Sequence, residues 1–411
     1  MNWNTKVKQL LNEVTPLMRT GQLADATRAI QQALAGRSPS GAPTPASTAA
    51  ASAAGAWRAR FERPTGQASA WSSPIGTSDV EDAVIVARAV QPEAAGSAAS
   101  PAVSPSGRGA QAPGSFTRVA YSGAAGAPQD HYYLSVPPGA AAGTPMPLVL
   151  MLHGCTQNPQ DFATGTGMNA AAAPANALVL YPAQAQGANA HGCWNWFRPQ
   201  DQQRGHGEPA TLVAMVRDAM ARHPVDERRV YVAGLSAGGA MAALLAREYP
   251  DVFAAVGVHS GLQAGAAHNV MGALSAMKSG AKNAAGSAPS GRPGSTQPTP
   301  LIVFHGDADE TVHARNGEQL LAAALRSTPG ARPEVESGRS STGQPYTRTV
   351  YRGGSGSTSA SGAVVAEHWV LHGAGHAWAG GNARGSYTDP RGVNATEQML
   401  RFFMEHPRSV D

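Results

Sequence analysis

Four continuous apolar runs constrain the fold of this chain more than any other feature. They are PLVLMLH from Pro147, LVLYP from Leu178, VYVAG from Val230 and LIVFHG from Leu301. None alternates apolar with polar residues, so none reads as a strand with one wet face. Such runs fit strands covered on both faces, as in a parallel sheet. Strands are expected at His131–Val136, Pro147–Leu152, Ala177–Tyr181, Val230–Ala233, Ala254–Val258, Pro300–Phe304 and Val364–Leu371. Between them lie helical patterns at Pro209–Arg222, Gly239–Tyr249, Val312–Leu325 and Thr396–Phe403. Alternating β and α elements predict an α/β domain with a doubly wound, mainly parallel sheet over residues 115–408. Gly/Ser/Pro-rich stretches at 278–299 and 352–362 are expected to be surface insertions.

The first 114 of the 411 residues read differently. Val7, Leu10, Leu11, Val14, Leu17 and Met18 make one apolar helical stripe, and Leu23, Ala26, Ala29, Ile30, Ala33 and Leu34 make a second. Residues 1–36 are therefore expected to form a short helical pair. Alone it buries little, so it must dock on the main domain, on a second copy as a homo-oligomer contact, or on an apolar surface. Residues 37–114 are low-complexity and are expected to be a mostly disordered linker, since Ser, Ala, Pro and Gly bury too little to offset chain entropy. Trp57, Phe61, Trp71 and Val80–Val90 form an apolar island that the pattern does not place.

Charge and cysteine content exclude several classes. A net charge of +4 is a mild imbalance over this length despite a pI of 9.2, so no nucleic-acid partner is expected. No apolar run approaches the ~18 residues of a membrane-spanning helix. Two cysteines build neither a disulfide scaffold nor a zinc cluster. Charges interrupt MNWNTKVKQLLNEVTPLMRT every few residues, unlike a secretory signal, so a cytoplasmic location is expected. His191, His206 and His223 are scattered without metal-ligand spacing, and no phosphate loop occurs. No metal or cofactor is expected.

The chemistry concentrates at Gly234-Leu235-Ser236-Ala237-Gly238. This pentapeptide follows a buried strand and precedes a small-residue helix, the context of a nucleophile elbow. Elsewhere in a Gly/Ser-rich chain the pattern arises by chance. Ser236 is the candidate nucleophile, and it needs a base held by an acid. The next buried strand runs into His305-Gly306-Asp307-Ala308-Asp309, at the sheet edge that carries the elbow. Asp309 is the favoured acid and Asp307 its rival. After the last strand, glycines flank His376, the favoured base; His372 is its rival. An oxyanion would take the backbone N–H of Ala237 and that of Cys155, from the loop His153-Gly154-Cys155-Thr156-Gln157. The elbow serine argues against Cys155 as the nucleophile. Cys155 and Cys193 either pair in an oxidising compartment or stay two reduced buried thiols.

These motifs, with Cys193-Trp194-Asn195-Trp196-Phe197, Val258-His259-Ser260-Gly261 and Gly375-His376-Ala377-Trp378, resemble the polyhydroxybutyrate (PHB) depolymerase family of esterases. The resemblance covers about residues 115–408. It implies an α/β-hydrolase fold, with Ser236 as nucleophile, Asp309 as acid, His376 as base, and Cys155 and Ala237 N–H groups as the oxyanion hole. Its implied substrates are short-chain polyesters, poly(3-hydroxybutyrate) or its oligomers, with feruloyl and acetylxylan esterases as close cousins. Secreted members usually carry a signal peptide and a polymer-binding domain. Neither is visible here, which points to an intracellular, granule-associated esterase, with the extracellular region as the alternative. Trp378, and after it Trp194 and Trp196, are candidate substrate-binding residues, because flat indole faces suit a small apolar repeat. An inactive granule-associated scaffold is the reading of another class.

Overall fold

A computed structural model describes residues 114–123, 130–138, 140, 143–281, 299–353 and 362–409. The helical pair expected at 1–36, the apolar island and almost all of the linker at 37–114 lie outside the described residues.

Ten strands form one sheet: β1 (Ser115–Ala120), β2 (His131–Val136), β3 (Met146–Leu152), β4 (Leu178–Pro182), β5 (Val225–Leu235), β6 (Ala255–His259), β7 (Leu301–Gly306), β8 (Arg332–Arg339), β9 (Pro345–Arg352) and β10 (Val364–Leu371). Their order is β1-β2-β4-β3-β5-β6-β7-β10-β9-β8. The central six, β4 to β10 in that order, pair parallel; β1, β2, β8 and β9 are antiparallel additions at the two edges. A separate two-stranded ladder joins β11 (Trp378–Ala379) to β12 (Thr388–Asp389).

The apolar runs are continuous because both sheet faces are covered. All seven residues of β3 are buried. Leu148, Leu150 and Leu152 enter one core cluster, while Val149 and Met151 enter the other. Two layers of helices supply the cover: α1 (Pro159–Thr166), α2 (Met168–Ala172), α3 (Gly207–Arg222), α4 (Ala237–Glu248), α5 (Val270–Ser279), α6 (Arg315–Leu325) and α7 (Ala395–Glu405). The side chain of Asn394 caps α7 by accepting from Glu397 N at 3.1 Å. One face of α7 packs Met399, Phe402 and Phe403 against the sheet, with the Phe403 ring stacked 5.0 Å from that of Tyr231. Removing such a buried ring costs about 3–5 kcal/mol.

Expected and observed elements coincide in the sheet centre and diverge at its edges. Strands β1, β8 and β9, together with α1, α2 and α5, were not foreshadowed by periodicity. Strand β8, RPEVESGR, is exposed along nearly its whole length, so no buried face imposes an apolar pattern on it. Helix α5 runs to Ser279, into the stretch expected to be an insertion; residues 282–298 and 354–361 of the two insertions lie outside the described residues.

Candidate active site

Three loops leave the same end of the parallel sheet. Strand β5 ends at Leu235, and Ser236 turns the chain into α4 with φ 57° and ψ −119°. Non-glycine residues rarely adopt this conformation, and holding it costs on the order of 1–3 kcal/mol. Close packing holds it. A Cβ at Gly238 would collide with the carbonyls of Leu152 and His153, and one at Gly234 with the Gly238 backbone. The N–H of Ser236 donates to His259 O at 2.9 Å, and its carbonyl accepts from Ala240 N at 2.9 Å.

The second loop follows β7. Asp309 is buried, and both its oxygens are engaged. Oδ1 accepts from Thr311 N (2.9 Å) and Val312 N (2.8 Å); Oδ2 accepts from His376 Nδ1 (2.7 Å). His305 Nε2 lies 3.6 Å from the same Oδ2. Burial pushes the Asp309 carboxyl up, but the His376 imidazole and the backbone donor more than offset this and hold it below the usual carboxylate value.

The third loop follows β10 and carries His372 and His376. It presses on the second: Asp307 N donates to Leu371 O and Ala308 N to Ala374 O, both at 3.1 Å. A Cβ at Gly306 would strike the Ala374 carbonyl, so only glycine admits this approach. The rival acid and rival base pair with each other. Asp307 Oδ2 meets His372 Nδ1 at 2.8 Å, and both side chains are about 40% exposed (42% and 40%). His376 is only 11% exposed and Asp309 not at all by side chain. One pair is in solvent and the other is buried.

The loop after β3 lies against the elbow: a Cβ on Gly154 would sit 3.6 Å from Ser236 Cβ. Gly154 N donates to Gln157 Oε1 (2.9 Å), and Thr156 N to His191 O (2.7 Å). The N–H groups of Cys155 and Ala237 donate to no protein acceptor among the described residues. Cys155 is joined to Cys193 by a disulfide with Cα atoms 4.2 Å apart, so the two thiols are not free. The 183–198 segment braces the loop again through Trp194 Nε1, which donates to His153 O at 3.1 Å. Glu208 in turn holds that segment, accepting from Gln184 Nε2 at 2.6 Å and Asn195 N at 2.7 Å. Burial pushes the Glu208 carboxyl up to about 7 against these donors.

The tryptophans require a correction. Trp194, Trp196 and Trp378 are 0%, 5% and 1% exposed. Trp378 Nε1 donates to Thr396 Oγ1 at 2.9 Å inside the core. Indoles buried this way offer no face to a substrate, and their contribution is packing beneath the loops. Sequence reasoning also passed over His259, Gln157 and Glu208 as single residues. Only the Val258-His259-Ser260-Gly261 motif carried a signal for any of them. Among the described residues, no three His, Cys, Asp or Glu side chains are grouped to hold a metal.

Residues 130–333 match the sequence model of the esterase PHB depolymerase family. The poly(3-hydroxyalkanoate) depolymerase C of Paucimonas lemoignei is 34% identical over 251 residues, covering 59% of this chain and 56% of that protein. Residues 130–333 thus form a domain of the esterase PHB depolymerase family. Feruloyl esterase B of Thermothelomyces thermophilus is 35% identical over 122 residues, 29% of this chain and 41% of that protein. The chain spans about half the length of these curated relatives (56% and 41%). Among solved structures, the acetyl xylan esterase from Aspergillus awamori superposes with a TM-score of 0.53 at 20% identity, covering 71% of this chain and 99% of that one. That likeness shows the fold to be that of an α/β hydrolase.

Proposed function

We propose that the protein is a serine esterase that cuts short-chain polyester, poly(3-hydroxybutyrate) or its oligomers, through an acyl-enzyme. The observation that carries this reading is the buried contact between Asp309 Oδ2 and His376 Nδ1 at the sheet edge that presents Ser236. Asp309 accepts a hydrogen bond from Nδ1–H and so fixes the tautomer, leaving Nε2 as the base. Ser236 Oγ gives its proton to Nε2 and attacks the ester carbonyl. The resulting oxyanion accepts from Cys155 N–H and Ala237 N–H, which have no protein acceptor of their own among the described residues. Collapse expels the alcohol, which takes the proton from His376. Water, deprotonated by the same imidazole, then releases the acid and restores Ser236.

The substrate rests on the relatives. The depolymerase match covers the larger share of this chain, 59% against 29% for the feruloyl esterase and 45% for the probable acetylxylan esterase A of Neosartorya fischeri, and favours polyester. The feruloyl esterase B match supports the second reading, a carbohydrate-linked ester. Turnover of soluble 3-hydroxybutyrate oligomers against methyl ferulate separates the two: the first substrate should be preferred at least tenfold in kcat/KM, and the reverse preference would move the protein to the second class. No turnover of any ester would leave the inactive scaffold.

The Cys155–Cys193 disulfide bears on location. Disulfides persist in oxidising compartments and are rare in the cytosol. It supports the extracellular alternative over the cytoplasmic or granule-associated one. No helix among the described residues is long and apolar enough to cross a membrane.

A further inference from the structure

The Val258-His259-Ser260-Gly261 motif stands at the end of β6, between the elbow and the His376 loop, and takes no part in the mechanism above. His259 is fully buried. Its backbone carbonyl accepts the N–H of Ser236 at 2.9 Å. Its ring Nε2 accepts the N–H of Ala379 at 3.0 Å, three residues beyond His376. An atom that accepts an N–H carries no proton, so the proton sits on Nδ1, which donates to Ser260 Oγ at 3.2 Å. Ser260 is itself held in the left-handed region, φ 49°, with its N–H on Phe304 O at 2.9 Å. The imidazole is stacked between Trp378 (5.2 Å) and Phe304 (5.8 Å).

One residue therefore ties together the nucleophile turn, through its main chain, and the strand that follows the base, through its side chain. A phenyl ring would fill the same slot between Trp378 and Phe304 but could not accept from Ala379. Three polar contacts in a slot closed to water are more than packing requires. We infer that His259 is a positioning residue that sets the separation of Ser236 and His376, through its carbonyl on Ser236 N–H and its Nε2 on Ala379 N–H. Burial, with smaller effects of His305 and His376, pushes its imidazole down to about 3, so it stays neutral at neutral pH. Asp309 acts in the opposite sense but does not prevent this. A neutral ring keeps its acceptor, and the tie does not switch with pH.

This inference rests on the assignment of Ser236 and His376 as nucleophile and base. Its test uses the full chain with His259→Gln, His259→Asn, His259→Phe and, as the control for the underlying assignment, Ser236→Ala. A glutamine amide reaches the position of Nε2, whereas an asparagine amide stops at that of Nδ1. Kinetics on a soluble p-nitrophenyl butyrate ester, the rate of inactivation by a fluorophosphonate and the thermal midpoint are measured for each. Small misplacement of reacting groups can cost on the order of 100-fold, so kcat and inactivation rate should fall about 10- to 100-fold in His259→Asn and His259→Phe. KM should change less than about twofold, and His259→Gln should recover to within about fivefold of wild type, since a uniform loss of binding is not expected. If His259→Phe fails to fold, the Gln and Asn pair decides alone. Wild-type kcat in His259→Asn despite a lowered midpoint would overturn the inference, as would equal losses in Gln and Asn. Wild-type activity in Ser236→Ala would instead overturn the assignment beneath it.

Discussion

Oδ2 of Asp309 lies 2.7 Å from Nδ1 of His376, across 67 residues of sequence, and the pair is buried. Two residues earlier, Asp307 makes a contact of the same kind with His372 in solvent. One loop pair thus holds two acid–imidazole contacts, of which one orients the proposed base.

Asp309→Asn should therefore lower kcat about 10⁴-fold, because the amide favours the wrong imidazole tautomer. Asp307→Asn should cost less than about tenfold, since an exposed carboxylate–imidazole contact contributes only ~0–1 kcal/mol. Both are read on p-nitrophenyl butyrate. A larger loss from Asp307→Asn would move the acid to that position.

How much of this was legible beforehand depends on burial. Strands β3 and β5 announced themselves because Leu148–Leu152 and Val230–Leu235 pack on both sides. Strands β8 and β9 carry Glu334, Glu336, Arg348 and Arg352, whose two cross-strand ion pairs hold a wet hairpin that has no apolar period. Asp309 and His376 were readable from their places after strand ends and among glycines. The burial of Trp378 was not, because sequence does not say which way a loop side chain turns. Glu208 lies just ahead of the helix expected from Pro209 and carried no signal; only the fold brings Asn195 and Gln184 to it.

The disulfide closes a loop of 38 residues and fixes the loop that bears the Cys155 N–H. Loop-closure entropy of that size contributes about 3–4 kcal/mol. The double variant Cys155→Ala, Cys193→Ala should lose roughly that much in denaturant unfolding. Its kcat should fall more than its KM rises. An unfolding midpoint equal to wild type would show that the bridge does not form in solution.

Glu367 is buried between Arg348 (3.0 Å) and Arg401 (2.7 Å). Burial raises its pKa, but the two guanidinium groups outweigh this and hold it below the usual glutamate value. A carboxyl depressed on folding contributes stability above its unfolded value of ~4.3, and loses it as pH falls through the folded value. Glu367→Gln should cost about 2 kcal/mol at pH 7, with the two arginines partly exposed, and the gap should close under acid. Urea unfolding at pH 7 and below pH ~4 measures it. A gap that stays constant with pH would contradict the ion-pair account.

The apolar stripes expected at residues 1–36 suggest a tether to an insoluble substrate. A tether raises effective concentration without altering the chemistry. Deleting residues 1–112 should leave soluble-ester kcat nearly unchanged and weaken turnover of amorphous polyester granules. Equal granule turnover would exclude tethering, and a halved mass in solution would assign the segment to dimerisation.

The most direct test of the central claim is the site of covalent attachment. The full-length protein is treated with a fluorophosphonate, its intact mass is measured, and the adduct is located by peptide mapping. The account predicts one adduct per chain, on Ser236, with activity lost in step and no labelling of Ser236→Ala. Labelling of any other residue in step with the loss of activity, or full activity in Ser236→Ala, would contradict it.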